Sequence, residues 1–150
     1  MSASSKPSSP KRSSGPGGLG AGPAGTLIVD VDSTICQVHG YAKAGAAYGY
    51  TKVLGYHPLL ATRADTGEVL HARLRKGSVN TARGIIRFID ELLARLGRAG
   101  GGDAIIVRAD SGFYQHKLLD RLSRAGVGFS VTIAQRQPVR AAIEAIPESA

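Results

Sequence analysis

The sequence has few of the features that would place it in a secreted or membrane-bound class. Its 150 residues contain one cysteine, Cys36, so no internal disulfide is possible and a reducing cytosol fits. No apolar stretch approaches the roughly 20 residues that a membrane helix needs. The N-terminus lacks the apolar core of a secretory signal. We therefore expect a soluble, cytoplasmic protein with no membrane partner.

Acidic residues are also scarce, because 11 Asp and Glu stand against 19 Lys and Arg. The resulting net charge of +8 favours polyanionic partners such as nucleic acid, although net charge by itself is weak evidence. The hydrophobic fraction of 43% is ordinary for a globular protein, and the length suits one domain with a real core.

The first 25 residues differ in composition from the rest of the chain. They read MSASSKPSSPKRSSGPGGLGAGPAG and consist almost wholly of Ser, Gly, Pro and Ala. Such a segment cannot offset the entropy lost on ordering, so residues 1–25 are predicted to be a disordered tail. Residues 26–150 are predicted to form the folded domain.

Hydrophobic periodicity predicts a series of strands and helices from residue 26 onward. An irregular Gly- and Tyr-rich loop is predicted between the first two strands, at about 36–55. The predicted elements are a strand at 26–35, a β-hairpin of YHPLLATR and EVLHARLR around the turn at 64–67, a helix at 80–96 between an Asn80 cap and Gly97, a strand at 104–110 covered on both faces, a helix at 114–125, a strand at 127–134 and a short helix between Pro138 and Pro147.

This element order predicts an α/β fold. Three leading strands should pair as an antiparallel meander. The later strands follow helices, and right-handed crossovers should make them parallel neighbours. A mixed sheet with helices packed on it is the expected architecture.

Three aspartates are the candidate functional residues. Asp30 and Asp32 lie two residues apart in the strand IVDVDSTI, so they point to the same face. Asp110 ends the strand before a Ser-Gly turn, where open α/β sheets place ligands. If the two strands are neighbours, these carboxylates form a hard oxygen site suited to Mg²⁺ or Mn²⁺. The alternatives are a face that meets water, and a capping role for Asp110 in its turn.

The chain resembles the DDE-type transposases of bacterial insertion sequences. VDVDSTI, GAAYGYTKVLGYHPLLATRADTGEVLHARLRKGS and VRADSGFY carry the resemblance, which extends over nearly all of residues 26–134. Within these transposases, the chain resembles the group whose catalytic domain opens with an Asp-x-Asp-Ser-Thr strand. The combination of GYHPLLA with RADSGFY is specific, whereas an Asp-Ser-Thr triplet is not.

The resemblance implies an RNase-H-like fold, with a five-stranded mixed sheet whose first three strands are antiparallel. It implies two Mg²⁺ ions held by three carboxylates, cleavage of DNA at the element's ends, and attack of the freed 3′-OH on target DNA. Asp32 and Asp110 match the first two catalytic acids, and Asp30 could assist as a further metal ligand. A homo-oligomer assembled on DNA is also implied.

The sequence departs from the family pattern in its third acid and at both ends. The third acid, a Glu on a later helix, has no convincing match, because Glu144 lacks the surrounding motif and Glu148 lies two residues from the end. The family's DNA-binding region before the first catalytic strand is replaced by the low-complexity tail. Residues 26–150 are therefore expected to be a partial catalytic domain that is incomplete at its C-terminus and inactive alone.

Other interpretations of the same residues stay open at this stage. Residues 30–34 also fit the Asp-x-Asp-x-Thr signature of haloacid-dehalogenase-type phosphatases, with Asp30 as nucleophile and Asp32 as general acid/base, and the chain could also be a decayed, non-enzymatic remnant. The lysines and tyrosines of the Gly-rich loop, Lys43 and Lys52 among them, either contact DNA or are solvated residues of a packed loop.

Overall fold

The structure is a computed structural model that describes residues 25–40, 42–101 and 104–147. The predicted tail lies outside the described residues except for Gly25. The strands and helices are β1 (Thr26–Ser33), β2 (Cys36–Gln37), β3 (Ala47–Tyr48), β4 (Leu54–Tyr56), β5 (Leu59–Arg63), β6 (Val69–Arg73), α1 (Ile85–Ala99), β7 (Ala104–Ala109), α2 (His116–Arg124), β8 (Gly128–Val131) and α3 (Gln137–Glu144).

Five of the strands form one mixed sheet in the order β6-β5-β1-β7-β8. β1 pairs antiparallel with β5, and β5 pairs antiparallel with β6. β7 pairs parallel with β1 and with β8. The predicted meander of three antiparallel strands, and the parallel neighbours after it, are confirmed.

The two faces of this sheet differ in polarity and burial. The register aligns Val29 with Val107 and Val31 with Ala61, and these four positions face the helices. Their buried side chains join those of both helices in the core, whose largest members are Phe88, Phe113, Leu59, Ile85, Ile89, Leu92, Leu96, Leu118 and Leu122. The opposite face carries Asp30, Asp32 and Arg108 and stays open. The expectation that β7 is covered on both faces is therefore wrong for the described residues.

Helix α1 starts five residues later than predicted and ends three residues later. The Asn80 side chain accepts a hydrogen bond from the Ala82 backbone amide (2.9 Å), so it caps a turn that precedes the helix. Gly84, with φ of 79°, is the residue directly before α1. At the other end the helix passes through Gly97 and ends at Gly100, whose φ of 69° lies in the left-handed region.

The predicted irregular loop instead contains a second sheet, in the order β2-β4-β3, which we call the inserted sheet. Backbone packing at Gly55 and Gly77 holds it together. A Cβ atom on Gly77 would lie 2.0 Å from the Gly55 carbonyl oxygen, and one on Gly55 would lie 2.4 Å from the Cys36 carbonyl oxygen. Its strands of two or three residues are too short to produce a hydrophobic alternation, which explains why the sequence pattern missed them.

The last part of the chain follows the predicted order with shorter elements. A 3₁₀ turn, Ser111–Phe113, precedes α2, which begins at His116 rather than at 114. Helix α3 starts with a proline in its first turn, as predicted, but has no buried residue. Among the described residues, no helix is long and apolar enough to cross a membrane.

Candidate functional site

Asp32 and Asp110 lie at the ends of two adjacent parallel strands. The register of β1 and β7 pairs Asp30 with Arg108 and Val31 with Ala109. One further residue along this register sets Asp32 level with Asp110, on strands about 5 Å apart. Both line an open cleft of about 510 Å³, together with Asp30, Arg108, Ser130 and Thr132. The structure therefore brings the three candidate aspartates to one cleft.

The carboxylates of Asp32 and Asp110 are each held by one backbone amide. Oδ1 of Asp32 accepts a hydrogen bond from the Ser33 amide at 2.7 Å, and Oδ1 of Asp110 accepts one from the Gly112 amide at 2.9 Å. Among the described residues, no hydrogen bond or ion pair engages the second oxygen of either group. The capping interpretation of Asp110 is thus correct for one oxygen, which leaves the other available to a ligand.

The turn after Asp110 needs the small residue that the sequence places there. A Cβ atom on Gly112 would lie 3.1 Å from the Asp110 carboxylate and 3.1 Å from Cγ2 of Thr81. Contacts this tight would require neighbours to shift, so Gly112 lets the turn pack closely against the segment before α1. The Gly112 amide in this turn donates the hydrogen bond that orients the Asp110 carboxylate.

Asp30 has a different environment from the other two aspartates. Its two oxygens accept hydrogen bonds from Nε and Nη2 of Arg108 at 2.6 and 2.8 Å. This bidentate bond holds the pKa of Asp30 below its usual value, against the opposing effect of partial burial. With both oxygens engaged, Asp30 is better placed to orient Arg108 than to bind a metal ion, and its role as a ligand stays a prediction.

Sequence reasoning missed a buried polar network behind the site, built on His57. Its Nε2 lies 3.0 Å from Oγ of Ser33, the residue after Asp32, and its Nδ1 lies 3.0 Å from the Val79 carbonyl oxygen. A carbonyl can only accept, so Nδ1 donates to Val79, and in the neutral ring Nε2 accepts from the Ser33 hydroxyl. His57 thereby ties the end of β1 to the segment before α1.

Arg75, which is also buried, completes this network. Its guanidinium donates hydrogen bonds to four backbone carbonyls, those of His57, Asn80, Thr81 and Arg83. Burial lowers the pKa of Arg75. No local pattern distinguishes this arginine from its neighbours Arg73 and Lys76, so only the tertiary structure reveals it.

The third catalytic acid implied by the resemblance, a Glu on a later helix, is not found among the described residues that line the cleft. Within residues 25–40, 42–101 and 104–147, no group of three or more His, Cys, Asp or Glu side chains could hold a metal ion. Glu144 sits at the end of α3 and is not among the residues lining the cleft. Glu148 lies outside the described residues.

The phosphatase interpretation gains no support from the site. It needs Asp30 as a nucleophile, yet both oxygens of Asp30 are bonded to Arg108. The chain after β1 enters the inserted sheet rather than a helix. Cys36 is an exposed free thiol.

The sequence matches the model of a family described as "Transposase DDE domain group 1" over residues 21–150. This match confirms the resemblance read from the motifs. No curated protein sequence matches the chain.

Several solved structures are similar to this chain. The piggyBac transposase in a synaptic complex with hairpin DNA aligns with a TM-score of 0.55 and 12% identity, over 81% of this chain and 26% of the transposase chain. The catalytic core of BIV integrase aligns with a TM-score of 0.45 and 15% identity, over 78% of this chain and 61% of the integrase chain. The Mos1 mariner paired-end complex with Mn aligns with a TM-score of 0.48 and 16% identity, over 79% of this chain and 41% of the Mos1 chain. The piggyBac likeness identifies the fold as RNase-H-like, and this chain spans about a quarter of that protein.

Proposed function

Because this chain belongs to the transposase DDE domain family, group 1, we propose that it provides the first two catalytic carboxylates of a DNA transposase. The reaction is cleavage of DNA strands at the ends of an insertion sequence, followed by attack of the freed 3′-OH on target DNA. The substrates are the element's ends and the target duplex. Residues 26–150 are then the front part of the catalytic domain, preceded by the Ser/Gly/Pro-rich tail.

One observation supports this proposal above the others. Asp32 and Asp110 come from two adjacent parallel strands, and they line one open cleft on the sheet's uncovered face. Two carboxylates on neighbouring strands repel each other, which a protein tolerates where a cation binds between them. Neither aspartate is needed for the core, because Val29, Val31 and Val107 point to the opposite face.

The donor atoms at this cleft fit a divalent cation. Asp32 and Asp110 each offer a carboxylate oxygen without a partner among the described residues, and Ser130 and Thr132 line the same cleft. Oxygen donors of this kind suit Mg²⁺ or Mn²⁺. A bound ion would neutralise charge on the scissile phosphate and lower the pKa of an attacking water. Two carboxylates account for one loosely held ion, so a complete two-ion site needs the third acid.

Arg108 is the cationic group that the chain contributes to the same cleft. Asp30 fixes two of its nitrogens, so the planar guanidinium is oriented before any ligand arrives. The side chain is half exposed. Its remaining donors can therefore contact a phosphate of the DNA strand that lies over Asp32 and Asp110. The proposal gives Asp30 a positioning role and Arg108 a binding role.

The family also suggests the setting in which the chain acts. We propose a homo-oligomer assembled on the element's ends, in the cytoplasm. The net charge of +8 suits a DNA partner, and the exposed free Cys36 suits a reducing compartment.

The proposal is tested by thermal unfolding with and without Mn²⁺, beside plasmid nicking. Mn²⁺ should raise the melting temperature of the wild-type chain, because a ligand that binds only the folded state stabilises it. Asp32→Asn and Asp110→Asn should abolish that rise. In EDTA, Asp32→Asn should be more stable than wild type by up to about 1 kcal/mol, because it removes the repulsion from Asp110. Asp120→Asn, an exposed change on α2, is the matched control and should behave as wild type.

Nicking of supercoiled plasmid by the isolated chain should be slow, since misplacing a reacting group by about 1 Å costs on the order of a hundredfold. Rapid nicking that the double variant Asp32→Asn, Asp110→Asn loses would show that the third acid is present after all, with Glu144 the first candidate. An equal Mn²⁺ effect in the wild type and in both Asn variants would overturn the metal site. No Mn²⁺ effect in any variant, with no nicking, would favour a decayed remnant.

A further inference from the structure

The inserted sheet ends in a hairpin whose exposed side chains are aromatic and basic. β3 and β4 pair through Tyr48 and Leu54, and the Lys52 amide donates to the Gly49 carbonyl at 3.0 Å to close the turn between them. Tyr48 and Tyr50 are 58% and 77% exposed, and Lys52 is also exposed. Two exposed rings, one on β3 and one in the turn that follows it, form an aromatic patch on which a flat ligand can stack.

The charge of this region is of one sign. No Asp or Glu occurs from Ser33 to Ala64, whereas Lys43 and Lys52 lie in that stretch and are exposed. Exposed Lys76 pairs with Tyr56 at the base of the hairpin through an isolated β-bridge. Two exposed tyrosines and two exposed lysines in a segment without acidic side chains, with Lys76 bridged to Tyr56, are complementary to a phosphate backbone with accessible bases.

The hairpin is held rigidly although its side chains contribute little to the core. A Cβ atom on Gly49 would lie 2.6 Å from the Gly77 carbonyl oxygen, so the two backbones are in direct contact. The Tyr56 hydroxyl donates to the Ala44 carbonyl at 3.0 Å, which fixes the chain before β3. The tyrosines at the tip are therefore presented on a fixed support and lose little entropy on binding.

The inserted sheet that carries the hairpin begins close to the acidic cleft. Cys36, the first residue of the inserted sheet, follows Asp32 by four positions, so the two lie at most about 14 Å apart, or about four base pairs of duplex. The Tyr50 ring lies 6.1 Å from the His57 ring, centroid to centroid, and His57 bonds to Ser33 beside Asp32. A DNA strand that continues past Asp32 beyond the end of β1 would reach the start of the inserted sheet within a few nucleotides.

We propose that the β3–β4 hairpin binds the unpaired DNA strand flanking the cleaved bond. Tyr48 and Tyr50 stack on its bases, and Lys43, Lys52 and Lys76 contact its phosphates. Stacking needs open base faces, so the occupant is DNA with single-stranded character rather than a continuous duplex. Recognition by stacking and phosphate contacts tolerates any base sequence. This inference rests on the proposed function for the identity of the strand, but the binding surface itself does not depend on the metal site.

The test is fluorescence anisotropy in EDTA with two labelled probes of one sequence, a fully paired duplex and a fork with five unpaired nucleotides. The wild-type chain should bind the fork more tightly than the duplex. Tyr48→Ala, Tyr50→Ala should lower the affinity for the fork by at least about fivefold, since a base–aromatic stack is lost at each site. Tyr48→Phe, Tyr50→Phe keeps the rings and should bind as wild type.

The charge contribution is tested with a pair of matched double variants. Lys43→Gln, Lys52→Asn removes two charges at the hairpin; asparagine is chosen because Lys52 has a φ of 56° and asparagine tolerates that conformation. This variant should weaken binding to both probes and reduce the slope of log K against log salt by roughly 1.5 to 2. Lys117→Gln, Arg124→Gln removes two charges from exposed positions on α2. It should change neither the affinity for either probe nor the salt slope.

Circular dichroism and melting temperatures establish that each variant is folded. Fork binding within twofold of wild type for the Tyr→Ala variant, no preference of the wild type for the fork, or an equal loss in the α2 control would each overturn the proposal. Loss of binding in the hairpin variants without any Mn²⁺-dependent effect at Asp32 would keep the DNA surface and reject the transposase site. An Mn²⁺-dependent effect at Asp32, with unchanged DNA binding in the hairpin variants, would support the metal site and overturn the proposed DNA surface.

Discussion

The five-stranded sheet and the inserted sheet are stabilised in opposite ways. The larger sheet buries a continuous layer of Val, Leu, Ile and Phe side chains against α1 and α2. The inserted sheet has little such layer and relies on backbone contact at Gly49, Gly55 and Gly77. Side-chain packing tolerates compensating changes in volume, whereas backbone contact tolerates no added atom. The difference indicates that the first sheet supplies most of the stability and the second supplies a fixed shape.

The largest effect is expected from the core of the five-stranded sheet. Phe88 is fully buried and stacks on His71 with ring centroids 4.7 Å apart. Phe88→Ala should reduce the free energy of unfolding by about 3–5 kcal/mol, through lost burial and the cavity left behind. Denaturant unfolding measures this, and both sheets should lose protection from hydrogen exchange. Ile143→Ala, at an exposed position on α3, should stay within about 0.5 kcal/mol of wild type.

A smaller and local effect is expected from the inserted sheet. The Cβ of Gly77→Ala would lie 2.0 Å from the Gly55 carbonyl oxygen and 2.3 Å from that of Ala47, and neither is a flexible side chain. We expect a cost of about 1–3 kcal/mol, with amide protection lost mainly at 45–56. Gly97→Ala is the matched control, because its Cβ meets no atom within 4 Å inside α1, and it should stabilise the protein by up to about 1 kcal/mol. Uniform loss of protection in Gly77→Ala would show that the two sheets unfold as one unit.

The smallest expected effect is a loss of stability at low pH that comes from the Asp30–Arg108 ion pair of the larger sheet. The Arg108 hydrogen bonds hold the pKa of Asp30 below its usual 3.8, so the ion pair contributes fully above that value. The contribution begins to fall as the pH drops below 3.8, and it is lost once the pH passes the lowered pKa of Asp30. The protonated carboxyl then no longer pairs with Arg108. The inserted sheet has no carboxylate to protonate.

The melting temperature between pH 5 and pH 2.5 measures this effect. Asp30→Asn should flatten part of the decline relative to wild type, whereas Asp120→Asn should follow wild type. Unchanged decline in Asp30→Asn would assign the acid sensitivity to other carboxylates, such as Glu91. Desolvation raises the pKa of Glu91, but its contacts with His71, Arg87 and Arg73 together lower it below its usual value.

The larger sheet could be predicted because its residues carry the pattern of their burial. β1 alternates buried Val29 and Val31 with Asp30 and Asp32, and the helix stripe around Ile89 repeats at helical spacing. The approach of Asp32 to Asp110 followed from the predicted adjacency of their strands. The start of α1 was mispredicted because the Asn80 side chain bonds to a turn, and turns and helices use the same capping chemistry.

The remaining features depend on contacts that no local pattern encodes. The inserted sheet rests on glycines that are distant in sequence, since Gly77 meets Gly55 and Ala47. Arg75 and His57 act through backbone carbonyls, which every residue has. Arg108 lies in a strand that was expected to be covered on both faces, where an ion pair with Asp30 had no obvious place.

The position of the tyrosines gives the molecule an optical probe of its own. The chain has no tryptophan, so its intrinsic emission comes from tyrosine. Of the four tyrosines that the structure describes, three belong to the inserted sheet and its hairpin: Tyr48, Tyr50 and Tyr56. Changes in tyrosine fluorescence therefore report mainly on this small sheet, and far-ultraviolet circular dichroism mainly on the larger one. The two signals allow events at the hairpin to be followed separately from folding of the core, without any attached label.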